Sequence, residues 1–220
     1  LLSEKYSLVG ISRQEGTGYS RLSADLELSK SWQTENGLIV RGTGNILTAA
    51  YSENNINTER YLLKVYPLGA LEFKYPFFRG RNNKSEVLIP VAQVVYSTDT
   101  SSTKRSIDED SSTTEFDSTT LFKLRKIPGI DRQENGLRLN AGLQYFYEYK
   151  SNYKYNINLG QVYRNKNSED FLPSSGLNGF ESDILLSGNL SFGNDLELSS
   201  KHVYSKNFNL KRSNTSLKLA

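Results

Sequence analysis

The stretch Leu137–Tyr149, with the sequence LRLNAGLQYFYEY, decides the fold. Every odd position holds Leu, Ala or Tyr, whereas the even positions hold Arg, Asn, Gly, Gln, Phe and Glu. An unbroken period of two is the pattern of a β-strand with one apolar face, and helical spacing occurs nowhere over a comparable length. Strands of soluble proteins average about 5–6 residues, while a tilted strand crosses a bilayer in about 9–11 residues. The length of this stretch therefore favours a membrane barrel.

The same alternation recurs along the whole chain. In Arg21–Trp32, Leu22, Ala24, Leu26 and Leu28 share one face and polar residues occupy the other. The pattern predicts strands at about 5–13, 19–32, 38–51, 60–77, 85–97, 136–149, 153–164, 182–192, 195–205 and 209–219. The predicted fold is all-β: an antiparallel transmembrane β-barrel fragment of about ten long strands, part of a larger barrel. Residues 1–220 then form a portion of one barrel domain, with no second domain.

The predicted connections differ in length between the two ends of the strands. Longer ones at 52–59, 98–135 and 165–181 alternate with shorter ones at 78–84, 150–152 and 193–194, although the turn at 206–208 departs from this rule. Outer-membrane barrels combine short periplasmic turns with long external loops in this way.

Tyrosines lie on both sides of the short turn at 150–152, at positions Tyr145, Tyr147, Tyr149, Tyr153 and Tyr155. We interpret them as part of an aromatic girdle at the periplasmic membrane interface. Cross-strand aromatic packing in a soluble sheet is the alternative.

The composition argues against several kinds of site. The chain has 27 Lys and Arg against 24 Asp and Glu, with no Cys and one His. A net charge of +3 without a basic run points to no nucleic-acid partner. Without Cys, no disulfide, thiolate nucleophile or thiolate metal site is available, and the lone His202 argues against a catalytic triad. We therefore expect no enzyme, metal site or cofactor.

The chain also shows no helical membrane span and no obvious natural start. The longest nearly apolar run, Val87–Val95, falls far short of the roughly 18 residues that a spanning helix needs. The chain contains no Met and opens on Leu1-Leu2. We expect an internal fragment of a longer protein.

A long connection, DEDSSTTEFDSTTLFKLRKIPGIDRQENG at 108–136, separates two of the predicted strands. Loops above about 12–15 residues are uncommon in compact domains and usually have a function or are disordered. Its polar first part gives way to apolar anchors: Phe116, Leu121, Phe122, Leu124, Ile127 and Ile130. These anchors and the Pro128-Gly129 turn predict a loop folded onto a larger body, inward or across the barrel mouth. A surface loop that packs on itself is the alternative.

Two charged groups in this loop have simple structural interpretations. Asp108, Glu109 and Asp110 lack the spacing of a calcium loop, so a solvated acidic tip is favoured. Asp131 and Arg132, with Glu134, are interpreted as an ion pair that pins the loop end to the next strand.

Several sequence elements follow one another in an order that resembles a known family. They are YPLGALEFKYPF at 66–77, VLIPVAQVVYS at 87–97, Glu109-Asp110-Ser111, Glu115-Phe116-Asp117, Leu121-Phe122, Gly129 with Asp131-Arg132, and GQVYR at 160–164. Over residues 60–220 this order resembles the C-terminal barrel of the LptD family of outer-membrane lipopolysaccharide (LPS) assembly proteins, notably its alphaproteobacterial members. Asn135 departs from the family pattern, which has a second Gly there.

The resemblance implies a translocon component that inserts LPS into the outer leaflet of the cell outer membrane in a Gram-negative envelope. Its implied partners are LPS as the transported substrate, the plug lipoprotein LptE, outer-membrane lipid, and periplasmic LPS bridge proteins that bind an N-terminal domain. It also implies loop or plug-contact residues: Asp110, Ser111, Glu115, Phe116, Asp117, Leu121, Phe122, Gly129, Asp131 and Arg132. The alternatives are another outer-membrane barrel, such as a porin or receptor, and a soluble all-β binding domain.

Overall fold

The computed structural model describes residues 1–11, 18–55, 58–98, 110, 114–150, 152–168, 170–193 and 195–219. Within these ranges almost all regular structure is strand. The strands are β1 (Leu2–Ile11), β2 (Gly18–Gln33), β3 (Ile39–Asn55), β4 (Thr58–Lys74), β5 (Phe77–Arg81), β6 (Lys84–Ser97), β7 (Gly136–Tyr149), β8 (Tyr153–Arg164), β9 (Ile184–Phe192), β10 (Leu196–Tyr204) and β11 (Leu210–Leu219). Helix α1 (Ser118–Leu121) and a 3₁₀ turn (Pro173–Ser175) are short, and no helix in the described part of the chain is long and apolar enough to cross a membrane.

The strands form one antiparallel sheet in which strands pair with their neighbours in sequence, except that β4 pairs with β6 and not with β5. The path runs from β1 to β11, with β5 continuing the line of β4 along β6. The sheet does not close on itself, and β1 and β11 are the edges of the described part. This open all-β meander is the predicted barrel fragment, so the predicted fold class is confirmed.

Two predicted connections are shorter than expected, because backbone pairing continues beyond the apolar part of the strands. β3 extends to Asn55 and β4 starts at Thr58, so most of the predicted loop at 52–59 is strand. The predicted turn at 78–84 is mostly strand β5, and the turn itself is Asn82-Asn83. Both asparagines have positive φ, +46° and +63°, as the tightest hairpin turns require.

The two faces of the sheet have opposite character. On β7, Leu137 and Leu139 are 44% and 38% exposed, whereas Arg138 and Asn140 are 3% and 0% exposed. We call the face with Leu137 the bare face and the face with Arg138 the covered face. The bare face is apolar across the strands, with exposed Leu8, Leu22, Leu26, Leu28, Ile46, Leu63, Leu71, Val94, Leu143, Ile157, Leu159, Leu190 and Leu217. An apolar outer face with a polar opposite face is the pattern of a membrane barrel wall.

Aromatic side chains gather at the end of the sheet that carries the short turns. The rings of Tyr147 and Tyr155 stack with centroids 4.8 Å apart, and Tyr153 meets Phe192 edge-on at 4.4 Å. Tyr75 and Phe77 form a further pair at 4.9 Å. The predicted aromatic cluster is therefore present at one end of the strands, where a girdle is expected.

Candidate functional site: the loop packed on the covered face

The described part of the long connection, residues 110 and 114–135, lies on the covered face, and we call it the inner loop. Its apolar side chains form three contacts with the sheet. Phe116, Leu121 and Ile127 pack with Val162, Leu185 and Val203 of β8, β9 and β10. Leu124 packs on Leu68, Ala70 and Val95, and Ile130 packs on Tyr19, Tyr51 and Leu62. The prediction of a loop folded onto a larger body is confirmed.

Helix α1 begins with a complete capping box. The Asp117 carboxylate accepts hydrogen bonds from the backbone N–H groups of Thr119 and Thr120, and the Thr120 hydroxyl accepts one from the Asp117 N–H. Burial would raise the pKa of Asp117, but the hydrogen bonds from Thr119 and Thr120 outweigh it and lower the pKa below its ordinary value. This short helix is therefore stabilised locally where it meets the sheet.

A buried lysine caps the C-terminal end of the helix. Lys126 is 1% exposed, and its Nζ donates to the carbonyl oxygens of Thr120 and Leu121 at 2.7 and 2.6 Å. Burial, together with the nearby charge of Arg138, holds the pKa of Lys126 well below its ordinary value. The carbonyl groups offset part of this desolvation by pairing at the negative end of the helix dipole.

A pair of glycines provides the seat for Leu121 and Phe122. Gly142 on β7 and Gly160 on β8 are direct cross-strand partners. A Cβ atom on Gly160 would lie 2.3 Å from Leu121 Cδ2, and one on Gly142 would lie 2.9 Å from Phe122 Cζ. On the covered face, the two glycines therefore leave space without side chains, and Leu121 and Phe122 lie close to the strand backbone there.

Asp131 anchors the returning half of the loop to the first strands of the sheet. Its carboxylate accepts hydrogen bonds from Arg21 Nη1 on β2 and from the Tyr51 hydroxyl on β3, each at 2.6 Å. Its carbonyl oxygen accepts hydrogen bonds from Lys64 Nζ at 2.6 Å and from the Tyr66 hydroxyl at 3.1 Å, both on β4. One loop residue thus joins three strands through buried polar groups.

Asp110 contacts the same group of residues. We call this group the Asp131 cluster; it contains Asp131, Asp110, Arg21, Tyr51, Lys64 and Tyr66. Asp110 forms an ion pair with Arg21 at 2.5 Å and accepts hydrogen bonds from the backbone N–H groups of Ile130 and Asp131. Gly129 has a φ of +87°, and a Cβ there would lie 2.4 Å from Asp110 Oδ1, so glycine is needed for this approach. The prediction of a solvated tip is wrong for Asp110, because Arg21 and two N–H groups draw its carboxylate onto the sheet.

A second buried ion cluster, around Glu134, fixes the loop end to β7 and β8. Its carboxylate contacts Arg138 and Arg164, each at 2.5 Å, and its carbonyl oxygen accepts the Ser97 hydroxyl of β6 at 2.6 Å. Burial would raise the pKa of Glu134, but the two arginines hold it below its ordinary value. An ion pair that pins the loop end to the next strand is therefore present, although Glu134 and Arg138 form it.

Arg132 makes a different contact from the one predicted. Its Nη2 donates to the carbonyl oxygen of Asp170, in the connection between β8 and β9, at 2.9 Å. Asp131, its predicted partner at the loop return, is bound to Arg21. The predicted pairing of Asp131 with Arg132 was therefore wrong. Adjacent residues of a loop can point toward different neighbours.

Arg125 and Arg138 connect the middle of the loop to the sheet. Arg125 donates to Asn45 on β3 and, at 2.8 Å, to the carbonyl oxygen of Tyr66 on β4. Arg138 donates to the carbonyl oxygen of Leu124. Beside this part of the loop is a cavity of about 430 Å³, lined by charged residues of both signs: Lys5, Asp25, Glu27, Arg41, Glu72, Lys123 and Arg125. The covered face is therefore polar where the loop does not fill it.

A comparison with known protein families identifies the chain. The family model described as "LptD: LPS transport system D" matches residues 5–219. The chain belongs to the LptD family. No curated protein matches it. Membership in the LptD family makes the protein an outer-membrane component of LPS transport, and it does not favour a porin, a receptor or a soluble binding domain.

Most of the predicted loop residues lie together on the covered face of this LptD-family wall. Phe116, Leu121 and Asp131 are at most 1% exposed, and Phe122 packs against the cluster that contains Phe116 and Leu121. Glu115 is on the exposed side, 3.6 Å from Arg212 of β11. Ser111, like Asp108 and Glu109, lies outside the described residues. Whether these side chains contact a plug stays a prediction.

Sequence reasoning missed the residues of the sheet that hold the loop: Arg21, Tyr51, Lys64, Arg138 and Arg164. The available signal was a set of long charged or tyrosyl side chains on polar-face positions that also carry Ser and Asn. In the described part of the chain, no group of three or more His, Cys, Asp and Glu side chains could hold a metal ion.

Proposed function

We propose that this chain forms part of the wall of the barrel that inserts LPS into the outer leaflet of the cell outer membrane. We further propose that the inner loop fills part of the lumen and borders the plug lipoprotein LptE. The observation that carries this proposal is the loop itself, which is fixed to the covered face by the Asp131 and Glu134 clusters. Its partners would also include outer-membrane lipid and, through an N-terminal domain, the periplasmic LPS bridge proteins.

The physical chemistry of LPS agrees with such a wall. LPS combines acyl chains, which avoid water, with a large sugar portion, which needs a polar path. The polar covered face and the charged cavity beside Arg125 offer surfaces for sugars and phosphates. The bare face offers an apolar surface to the bilayer. No bond is made or broken in this role, and we propose no enzymatic activity for the chain.

A loop that borders a plug must keep its shape while substrate passes. Buried ion pairs with satisfied hydrogen bonds are well suited to this, because breaking one partner leaves an uncompensated charge. The two clusters lie near the end of the loop, on opposite sides of its return to β7: Asp131 binds β2, β3 and β4, and Glu134 binds β7 and β8. The loop would therefore present a fixed surface toward the lumen.

The test uses the full-length protein with Asp131→Asn, and Glu181→Gln as the matched control. Asn at 131 lacks the charge that Arg21 needs, whereas Glu181 lies outside the inner loop, its side chain is 43% exposed and its ion pair with Lys206 is weak. We expect Asp131→Asn to lower the amount of LptE that co-purifies and to sensitise cells to vancomycin, which an intact outer membrane excludes. Glu181→Gln should behave as wild type.

Normal LptE recovery and normal vancomycin resistance with Asp131→Asn would contradict the proposed role of the loop. Loss of folded protein would be seen as lower abundance of the barrel in the membrane. In that case Tyr51→Phe, which removes one hydrogen bond from the same carboxylate, is used in place of Asp131→Asn. It should also lower LptE recovery and sensitise cells to vancomycin.

A further inference from the structure

One position on the bare face lacks side chains although nothing in the fold requires it. Gly44 on β3 and Gly69 on β4 are direct cross-strand partners. A Cβ atom added at either residue would meet no atom within 4 Å, and neither glycine has a positive φ. Glycine weakens a strand interior because it packs nothing and loses more entropy on folding. The pair Gly44 and Gly69 therefore indicates that a group from outside the sheet occupies the gap.

Apolar side chains border the gap on three sides. Leu28, the partner of Gly44 on β2, and Tyr96, the partner of Gly69 on β6, form its two side walls. Ile46 and Pro67, which also face each other across β3 and β4, form one end. The resulting groove has a volume of about 640 Å³.

Comparable gaps elsewhere in the sheet are filled by apolar groups. On the covered face, the cross-strand pair Gly142 and Gly160 is filled by Leu121 and Phe122. On the bare face, Gly42 is filled by the ring of Trp32, which lies 3.2 Å from the position of an added Cβ. The groove at Gly44 and Gly69 is therefore a seat of the same construction without a described side chain in it.

We infer that this groove binds one acyl chain of a membrane phospholipid. The bare face is the lipid-facing wall, so hydrocarbon is the medium around the groove. Neighbouring strands lie about 4.8 Å apart, and an extended acyl chain fits along the strands between Leu28 and Tyr96. An α-helix, about 10–12 Å across, would be held off the glycines by these two walls. The groove would retain a lipid longer than the smooth parts of the wall do.

The experiment reads lipid contact at Trp32, which lies beside the groove and is the single Trp of this chain. The full-length protein is placed in phosphatidylcholine vesicles whose acyl chains carry bromine at mid-chain, a short-range quencher of Trp fluorescence. The Trp32 signal is isolated by subtracting that of a Trp32→Phe variant. Lipid that stays bound after detergent washing is measured by native mass spectrometry.

The groove is filled in one variant by Gly44→Leu with Gly69→Leu. The control, Ala50→Leu, places a Leu side chain at an exposed position on the bare face outside the groove. We expect the filled variant to bind the retained lipid roughly tenfold more weakly, the factor for losing contact with about two methylene groups. Quenching of Trp32 should fall in the same variant, while Ala50→Leu should match wild type.

Equal lipid retention and equal quenching in wild type and filled variant would overturn the inference. So would a wild-type Trp32 that brominated lipid does not quench while a second copy of the chain cross-links to the groove. If the Leu pair prevents folding, Gly44→Ala with Gly69→Ala is used, and the same loss of retention is expected at a smaller size. The lipid seat is independent of LptE binding, so its failure leaves the proposed function untouched.

Discussion

Asp131 shows how much of the loop's attachment depends on single buried groups. The carboxylate receives Arg21 and Tyr51, while the carbonyl oxygen receives Lys64 and Tyr66. Each of these donors comes from the strand face that would otherwise line a wet lumen. Removing a partner leaves a buried polar group without its hydrogen bond, and this has a larger effect than the net value of the bond.

Replacing Tyr51 by Phe tests this attachment without removing a charge. Hydrogen bonds to charged groups contribute about 1.5–3 kcal/mol, so Tyr51→Phe should lower the free energy of unfolding by about that amount. Tyr96→Phe, on the exposed bare face, is the control and should change it by less than about 0.5 kcal/mol. The measurement is urea unfolding of the protein in lipid vesicles, and equal effects of both variants would contradict a buried role for the Tyr51 hydroxyl.

The lowered pKa of Glu134 predicts a pH dependence that can be assigned to one residue. The side-chain pKa of Glu in an unfolded chain is about 4.3. In the folded protein the pKa of Glu134 lies below its ordinary value because Arg138 and Arg164 face it. The ion cluster therefore stabilises the fold fully above about pH 4.3, and this contribution is lost as the pH falls through the folded pKa.

The difference in unfolding free energy between wild type and Glu134→Gln measures this contribution. It should be about 3–5 kcal/mol at pH 7, the value for breaking a buried ion pair, and should shrink steadily below about pH 4.3. Glu115→Gln serves as the exposed control and should show a difference below about 1 kcal/mol at each pH. A wild-type to Glu134→Gln difference that stays constant from pH 7 to pH 3 would show that the charge of Glu134 is not what holds the loop.

The sequence predicted which loop residues are buried better than it predicted their polar partners. Phe116 and Leu121 are apolar residues inside a polar stretch, and they are buried because removing apolar side chains from water is favourable. Asp110 resembles any acidic surface residue, and its ion pair is with Arg21, which lies far away in sequence. Long-range ion pairs of this kind leave no local pattern, so they could not be read from the chain alone.

At the scale of elements, helix α1 packs closely on the sheet at Gly142 and Gly160. A Cβ on Gly160 would clash with Leu121 at 2.3 Å and with the Ala141 carbonyl oxygen at 2.9 Å. Because the second atom belongs to the backbone, the clash cannot be relieved by a rotamer change alone. We expect Gly160→Ala to displace α1 from the sheet while the strands remain paired.

Trypsin treatment of the folded protein detects this displacement. Gly160→Ala should make cleavage after the exposed Lys123 several-fold faster than in wild type, because the loop around it is released. Gly44→Ala is the control, since a Cβ there meets no atom within 4 Å. Unchanged cleavage of Gly160→Ala would show that the helix tolerates the extra methyl group and that the seat is loose.

The strands themselves were the most predictable elements. The predicted ranges 136–149 and 153–164 agree with β7 and β8 at both ends, because their alternation is bounded by clear turn residues. β5 was missed because Tyr75-Pro76 interrupts the pairing of the hairpin, and a proline cannot donate a ladder hydrogen bond. The end of β3 was placed too early and the start of β4 too late, because the polar residues there still pair.

At the scale of the whole molecule, the sheet separates two environments. The bare face is mostly apolar, and the covered face carries ion clusters, a charged cavity and a packed loop. Period-two patterning was sufficient to predict this separation, since successive side chains of a strand point to opposite faces. The path of the inner loop over the sheet from β2 to β10 depended on tertiary contacts and followed only from the structure.

The most direct test of this separation compares neighbouring residues of β7 with opposite orientation. Leu143 lies on the bare face and is 37% exposed, whereas Gln144 lies on the covered face. The free energy of folding into lipid vesicles is measured for Leu143→Arg and Gln144→Arg. We predict that Leu143→Arg lowers it by about 2–4 kcal/mol, the cost of an arginine facing hydrocarbon, and that Gln144→Arg changes it little. Equal effects of the two substitutions would contradict the assignment of the bare face to lipid.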